Sequence, residues 1–235
     1  MRKFFQYIKS LFGDLIFLIY PNSCQVCNNS LMKGEESICL KCISDMPFTT
    51  YHNNLDNPVN QLFWGKLQVE MATALFFFAK GSKYRNLLHS LKYRHKPEIG
   101  VFLGRELGFR IRNSEYFKNI DYLIPVPLHK SRLKERGYNQ STMICRGISD
   151  VTEIELYEDA IVRTVATQTQ TKKNREERWE NVAGKFALPN VESLKNKHVL
   201  LVDDVITTGA TLEAVAHTLL EVEGLKISIA VLAKA

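Results

Sequence analysis

The sequence predicts an α/β fold with a mostly parallel sheet flanked by helices. From residue 120 onward, segments with strand patterning alternate with segments of helical periodicity, an order typical of right-handed crossovers in parallel sheets. Residues 199–202 and 227–232 form apolar runs, as expected of strands that are buried on both faces. Between them, apolar residues recur at helical spacing and stop before Gly224: Leu212, Val215, Ala216, Leu219 and Leu220.

The remaining elements are predicted from the same patterns. Strands are expected at 69–80, 121–127 and 156–164, and a long polar loop at 163–185. Helices are expected after Ser82, after Pro97 and over 134–148. The helix after Pro97 has glycine at every fourth position, which lets a neighbouring backbone approach closely and predicts helix packing: Gly100, Gly104 and Gly108.

The composition is that of a globular protein with a basic surface. The chain has 235 residues, of which 45% are hydrophobic and 24% charged, and its net charge is +6. Residues 80–112 hold nine basic and two acidic residues, so that this stretch alone carries 9 − 2 = +7. With Tyr84 and Tyr93 interleaved, it is a candidate surface for single-stranded DNA; the alternative is a solvated or substrate-facing surface. The candidate residues are Lys83, Arg85, Lys92, Arg94 and Lys96.

The N-terminal region is predicted to be separate from the sheet. Residues 1–20 read as an amphipathic helix docked on the protein, with an interfacial membrane helix as the alternative. The longest apolar run there, 15–20, is too short to span a bilayer, and we expect no transmembrane segment. We therefore expect a cytoplasmic protein, with peripheral attachment to the inner membrane as the alternative. Polar residues around 53–58 suggest two domains, 1–52 and 68–235.

Four cysteines within nineteen residues predict a metal site. Cys24-x-x-Cys27 and Cys39-x-x-Cys42 are separated by eleven residues, a spacing that lets both pairs bind one tetrahedral zinc ion. Four thiolates leave no open position on the ion, so its role would be structural. The alternatives are a redox C-x-x-C pair or an accidental pairing. Cys145 is expected to be an inert core thiol.

Two acids and a turn of small residues follow the apolar run at 199–202. Free backbone amides at a helix N-terminus bind anions, and the threonine hydroxyls add donors. Two carboxylates at the carboxyl end of a parallel strand can accept hydrogen bonds from a diol and help to hold Mg²⁺ through water. The alternative is that the acids only end the strand and cap the helix. The predicted site comprises Asp203, Asp204, Thr207, Thr208, Gly209, Ala210 and Thr211.

This stretch closely resembles the phosphoribosyl pyrophosphate motif of type I phosphoribosyltransferases. The rest of the chain resembles the ComF family of competence-associated, phosphoribosyltransferase-like proteins over nearly its whole length. None of the motif positions is broken. The motifs that carry the resemblance are the two cysteine pairs, Leu91-Lys92-Tyr93, residues 124–128, Arg132 with Arg136-Gly137-Tyr138-Asn139-Gln140, Arg163, Thr167 and Gln168, Arg178 with Asn181 and Phe186, and the two acids.

The resemblance implies a role for each part of the site. Asp203 and Asp204 would hold the ribose hydroxyls, and the turn at 207–211 the 5-phosphate, with Mg²⁺ as cofactor. A pyrophosphate loop would comprise Leu128, His129, Lys130 and Arg132; Arg132 and Arg136 either face this anion or are solvated residues at the start of a helix. A hood loop would close over the reacting centre with Arg163, Gln168, Arg175, Arg178 and Asn181.

The resemblance also implies an activity and a process. The reaction would be phosphoribosyl transfer, in which a nitrogen nucleophile on an unspecified acceptor displaces pyrophosphate, and the process would be DNA uptake. A second hypothesis is a non-catalytic accessory protein that binds the phosphoribosyl ligand, single-stranded DNA and competence proteins. A third is an interaction scaffold that docks a partner through its zinc knuckle, and the intact site argues against it as a complete account.

Overall fold

A computed structural model of the chain describes residues 23–79, 81–164 and 186–235. It divides into two compact units, one up to Met46 and the other from Pro47 to Ala235. The division therefore falls before the boundary predicted after residue 52, and residues 47–67 belong to the second unit. Asn57 shows why the predicted polar linker is part of that unit. It is 1% exposed, and its amide donates to the Ala72 carbonyl oxygen at 3.0 Å.

The second unit is built on five parallel strands in the order β1-β7-β6-β2-β3, which confirms the predicted fold class. These strands are β1 Met71–Phe77, β2 Tyr122–Pro125, β3 Glu155–Leu156, β6 His198–Ile206 and β7 Lys226–Lys234. The strand predicted over 156–164 is instead split: its second part, β4 Val162–Arg163, pairs antiparallel with β5 Phe186–Ala187 outside the main sheet.

The helices in the described part of the chain are numbered α1 to α6. They are α1 Leu40–Ser44, α2 Arg85–Tyr93, α3 Pro97–Arg112, α4 Lys130–Arg136, α5 Gln140–Thr152 and α6 Ala210–Leu220. The prediction of a single helix over 134–148 is wrong. Gly137, which adopts the left-handed conformation at φ 79°, ends α4. Asn139 then starts α5, accepting a hydrogen bond from Ser141 N at 3.1 Å. Within the described residues, no helix has the length and hydrophobicity needed to cross a membrane.

The central strand β6 is longer than its apolar run. Its first part is fully buried at 199–202, as the sequence predicts. Pairing with β7 nevertheless continues past the two acids as far as Ile206 opposite Lys234. Asp203 and Asp204 therefore lie within the paired part of β6 rather than beyond its end.

Helices α3 and α5 pack through glycines. A methyl group added to Gly104 would overlap the Ile144 carbonyl oxygen, and one added to Gly147 would overlap the Val101 carbonyl oxygen. The predicted close approach at the glycine repeat of α3 is thus confirmed, and its partner on α5 is Gly147.

We expect Gly104→Ala and Gly147→Ala each to lower the free energy of unfolding by about 1–3 kcal/mol, because a backbone carbonyl cannot move aside as a flexible side chain can. Urea denaturation measures the effect. Gly108→Ala is the matched control on α3, since its added methyl would meet its nearest atoms at 3.2 Å and should cost less. A midpoint for Gly104→Ala equal to that of the wild type would contradict this account of the packing.

Candidate phosphoribosyl site

The order of the strands places a crevice at the carboxyl ends of β2 and β6. From β2 the chain passes through α4 and α5 to β3 on one side, and from β6 it passes through α6 to β7 on the other. The strand order therefore reverses between these two neighbours, and ligands of open α/β sheets bind at such a reversal. The loop after β2 and the segment 203–209 meet there.

The two acids are held by donors from separate parts of the chain. Asp203 Oδ1 accepts hydrogen bonds from Ser141 Oγ at 3.0 Å and from Asp204 N at 2.8 Å. Asp204 Oδ1 lies 3.0 Å from Lys92 Nζ, and the two side chains are 11% and 26% exposed. Ser141 is not among the site residues predicted from the sequence, although it follows directly on the motif that ends at Gln140.

Asp203 has an unusual proton affinity. Burial and, after it, the adjacent charge of Asp204 raise its pKa to about 7, against the lowering effects of the Asp204 amide, Lys92 and Ser141. Near neutral pH this carboxyl therefore exists in both protonation states. A cation, or a ligand that donates hydrogen bonds to this carboxyl, would favour its charged form.

We expect Asp203→Asn to raise the melting temperature at pH 8 by roughly 2–8 °C in Mg²⁺-free buffer, with a smaller effect at pH 5. Folding raises this pKa from 3.8 to about 7, so the wild type loses stability as pH rises from about 4 to 7, and the loss persists above that range. Asparagine remains neutral and removes the loss. Thermal unfolding at several pH values measures the difference.

Asp121→Asn is the control of opposite sign. A hydrogen bond from His198 N at 2.9 Å and the Lys197 ammonium lower the pKa of Asp121. That carboxylate therefore adds stability above its ordinary pKa, and Asp121→Asn should lower the melting temperature at pH 8. The interpretation of Asp203 fails if both variants shift the melting temperature in the same direction at pH 8.

The turn after β6 has the features of an anion site. Thr207, Thr208 and Thr211 are exposed, and the eleven-residue helix α6 starts directly after Gly209. Gly209 adopts φ 80°, which glycine reaches without strain. A Cβ at this position would meet the Phe63 ring at 3.4 Å, which is an ordinary contact distance. The backbone conformation, and not a lack of space, therefore requires glycine here.

The loop after β2 leads into α4, which carries the predicted pyrophosphate contacts. His129 starts this helix: its Nδ1 accepts a hydrogen bond from Ser131 N at 3.2 Å. Leu128 and Arg132 are half-buried, and Lys130 is exposed. The histidine therefore caps α4, and its contact with pyrophosphate stays a prediction.

Two arginines share the electrostatic environment of the acid pair. Burial and then the charge of Arg132 lower the pKa of Arg163, whereas the charge of Asp203 raises it. The Arg163 guanidinium also lies 5.5 Å from the centre of the Phe186 ring. The other predicted hood residues, Gln168, Arg175, Arg178 and Asn181, lie outside the described residues, as do residues 1–20.

The candidate DNA-binding residues do not all face the same way. Lys83, Arg85 and Arg94 are exposed and Lys96 is half-buried. Lys92 instead points to Asp204. The structure thus places Lys92 in the acid site rather than on the outer basic surface.

The unit that ends at Met46 contains a second chemical cluster. The four Sγ atoms of Cys24, Cys27, Cys39 and Cys42 lie within 4.8 Å of one another, and none of the four cysteines forms a disulfide. Cys27 Sγ and Cys39 Sγ are 3.8 Å apart. Two sulfurs on one tetrahedral zinc ion are also about 3.8 Å apart when each Zn–S bond is about 2.3 Å. The cluster could therefore hold a metal ion.

The fifth cysteine is not part of that cluster. Cys145 is fully buried in α5, and burial raises its pKa well above the ordinary value. It therefore stays a thiol at neutral pH, which agrees with the predicted core role.

Comparison with protein families supports the assignment of the fold. The phosphoribosyl transferase domain family matches residues 145–235, a stretch that begins on α5 and includes the acid pair, α6 and β7. The purine phosphoribosyltransferase from Pyrococcus horikoshii is 23% identical, with a TM-score of 0.36 over 59% of this chain and 73% of that one. The sheet topology and the matched region define a type I phosphoribosyltransferase fold.

Curated relatives show which proteins with known names this chain is similar to. The DNA utilization protein YhgH of Escherichia coli O157:H7 is 34% identical over 137 residues, and competence protein F of Haemophilus influenzae is 31% identical over 137 residues. Each match covers 57% of this chain, which spans about 60% of the length of each relative. The chain is similar to these DNA utilization and competence proteins, which supports the resemblance to the ComF family of phosphoribosyltransferase-like competence proteins.

Proposed function

We propose that this protein binds phosphoribosyl pyrophosphate with Mg²⁺ in the crevice between β2 and β6, and that it acts in DNA uptake. The observation that carries the proposal is the acid pair on β6, followed at once by the exposed threonine turn at the start of α6. One ligand that fits both is a ribose with a diol for the carboxylates and a 5-phosphate for the turn.

The acid pair also suits Mg²⁺. Carboxylate oxygens are the hard ligands that this ion prefers, and the ion usually keeps several waters and substrate phosphates around it. Asp203 and Asp204 would hold it directly or through water, with the ligand's pyrophosphate completing its shell. When bound, Mg²⁺ supplies positive charge that stabilises the departing pyrophosphate.

For catalysis, the residues of the chain would orient the ribose and stabilise charge. The bond between C1 and the pyrophosphate oxygen breaks, and the electron pair leaves with pyrophosphate. A nitrogen of the acceptor forms the new bond to C1 and releases its proton to solvent. The carboxylates would hold the ribose hydroxyls during this step. Arg132 and Arg163 would add positive charge where the leaving group gains negative charge.

For the cysteine cluster we propose a structural zinc ion. Four thiolates saturate a tetrahedral ion, and the Cys39 backbone amide also donates to Cys24 Sγ at 3.4 Å. Such a hydrogen bond supports the thiolate as a metal ligand.

The process is inferred from the relatives, whose names refer to DNA utilization and competence. The alternative is an accessory protein that binds the phosphoribosyl ligand without turnover and handles single-stranded DNA. On this chain the outer basic residues Lys83, Arg85, Arg94 and Lys96 are the candidates for contact with the DNA backbone.

Calorimetric titration of the zinc-loaded wild type with phosphoribosyl pyrophosphate tests the proposal. Saturable binding that needs Mg²⁺ supports the site, and its absence contradicts it. A pyrophosphate-release assay with nucleobases and with single-stranded DNA then separates the two roles. Release with any acceptor identifies an enzyme, whereas tight binding without release favours the accessory role.

A further inference from the structure

Lys92 occupies a position that stability alone does not explain. It lies in the last turn of α2, its side chain is 26% exposed, and its ammonium is 3.0 Å from Asp204 Oδ1. A partly buried ion pair loses hydration on both sides and contributes little net stability. A lysine ammonium also has three donors, so that contact with one carboxylate oxygen does not exhaust its capacity to bind an anion.

The last residue of α4 and the turn that follows it contact the two neighbours of Lys92. The Tyr138 hydroxyl donates to the Leu91 carbonyl oxygen. The Arg136 guanidinium lies 5.2 Å from the centre of the Tyr93 ring, on the other side of Lys92 in the chain. These residues therefore contact α2 on both sides of Lys92, at the Leu91 carbonyl oxygen and at the Tyr93 ring.

The same turn places Lys92 on one side of the acid pair. It connects α4, which follows the loop after β2, to α5. Because α5 and α6 leave the strand reversal in opposite directions, right-handed crossovers put them on opposite faces of the sheet. The 5-phosphate turn belongs to α6. A cation anchored by the α4–α5 turn thus approaches from the other side, where the pyrophosphate end of the ligand would lie.

We infer that Lys92 contacts the pyrophosphate group of the bound ligand and that Tyr138 positions it for this contact. The inference rests on the proposed binding of phosphoribosyl pyrophosphate and adds the residue that recognises its leaving group. Asp204 keeps the Lys92 ammonium oriented, while the remaining N–H donors of this ammonium bind phosphate oxygens.

Titration of variants with two ligands tests the inference. The ligands are phosphoribosyl pyrophosphate with Mg²⁺ and ribose 5-phosphate, which lacks the pyrophosphate. We expect Lys92→Met to weaken the first by about 10- to 100-fold and to change the second less than about threefold. Lys92→Arg should restore part of the loss. Arg146→Met, which removes an exposed positive charge from α5, should change neither affinity.

Tyr138→Phe tests the positioning role. It should weaken phosphoribosyl pyrophosphate binding by a smaller factor and add almost nothing to Lys92→Met, because both changes act on one contact. Retained affinity for ribose 5-phosphate shows that each variant is folded.

Four results would overturn the inference. Unchanged affinity for phosphoribosyl pyrophosphate in Lys92→Met means that the ammonium does not reach the ligand. Tighter binding of both ligands means that Lys92 only competes for Asp204, and an equal loss for both means a general structural effect. A wild type that binds no phosphoribosyl pyrophosphate contradicts the proposed function itself, and the inference with it.

Discussion

Replacing Asp203 and Asp204 together with alanine should weaken the binding of phosphoribosyl pyrophosphate roughly 30- to 1,000-fold. The two carboxylates are the proposed acceptors for the ribose hydroxyls, and each lost charged hydrogen bond is worth about 1–2 kcal/mol. Their removal also takes away the proposed oxygen ligands for Mg²⁺, so the remaining binding should depend less on this ion. Calorimetric titration with and without Mg²⁺ measures both effects.

The control for charge is Glu221→Ala with Glu223→Ala. These two exposed acids follow α6, and removing them changes the net charge by the same amount. This control should bind as the wild type does, and the melting temperature of each double variant verifies folding. Equal ligand affinity in the wild type and a folded Asp203/Asp204 double variant would refute the site.

Cys39→Ser should release the zinc ion and loosen the unit that ends at Met46, while the parallel sheet stays folded. Cys39 is buried, its Sγ contacts that of Cys27 at 3.8 Å, and its amide donates to Cys24 Sγ. Serine cannot replace a thiolate on zinc at neutral pH, and metal binding is coupled to local folding in small sites of this kind. Elemental analysis should find one zinc per wild-type chain and a large loss in the variant.

Cys145→Ala is the matched control, because it removes a buried thiol from the second unit and leaves the cluster intact. It should retain the zinc. Circular dichroism and limited proteolysis then show whether the change in Cys39→Ser is confined to the N-terminal part. Wild-type protein without zinc, or with a Cys24–Cys27 disulfide under reducing conditions, would contradict the assignment.

The sequence predicts most of the sheet because burial dictates its pattern. The apolar runs at 199–202 and 227–232 had to be strands, and the glycine repeat of α3 had to meet another backbone. The end of β6 could not be read in the same way. Two acids ordinarily mark the end of a strand, yet pairing with β7 carries the backbone on to Ile206. Tertiary pairing overrides local preference there.

The contacts of the acid pair could not be predicted, since they join residues far apart in the chain. Ser141 and Asp203 are 62 positions apart, and no local pattern links them. In the sequence, Lys92 is one of several charges in a basic stretch. The direction of its side chain could not be predicted, because it depends on how α2 meets β6. The break between α4 and α5 did leave a signal, since Gly137 and Asn139 are common helix-ending and helix-starting residues.

Because the ladder between β2 and β6 is short, binding of the proposed ligand would also hold these two strands together. Only four residue pairs, from Tyr122–Val199 to Pro125–Val202, join these strands, whereas β6 and β7 share eight. The two parts of the sheet on either side of this ladder, β1-β7-β6 and β2-β3, are therefore joined by few residue pairs, directly below the crevice. A ligand that contacts the loops above both strands would connect these two parts of the sheet, and its binding energy would oppose their separation.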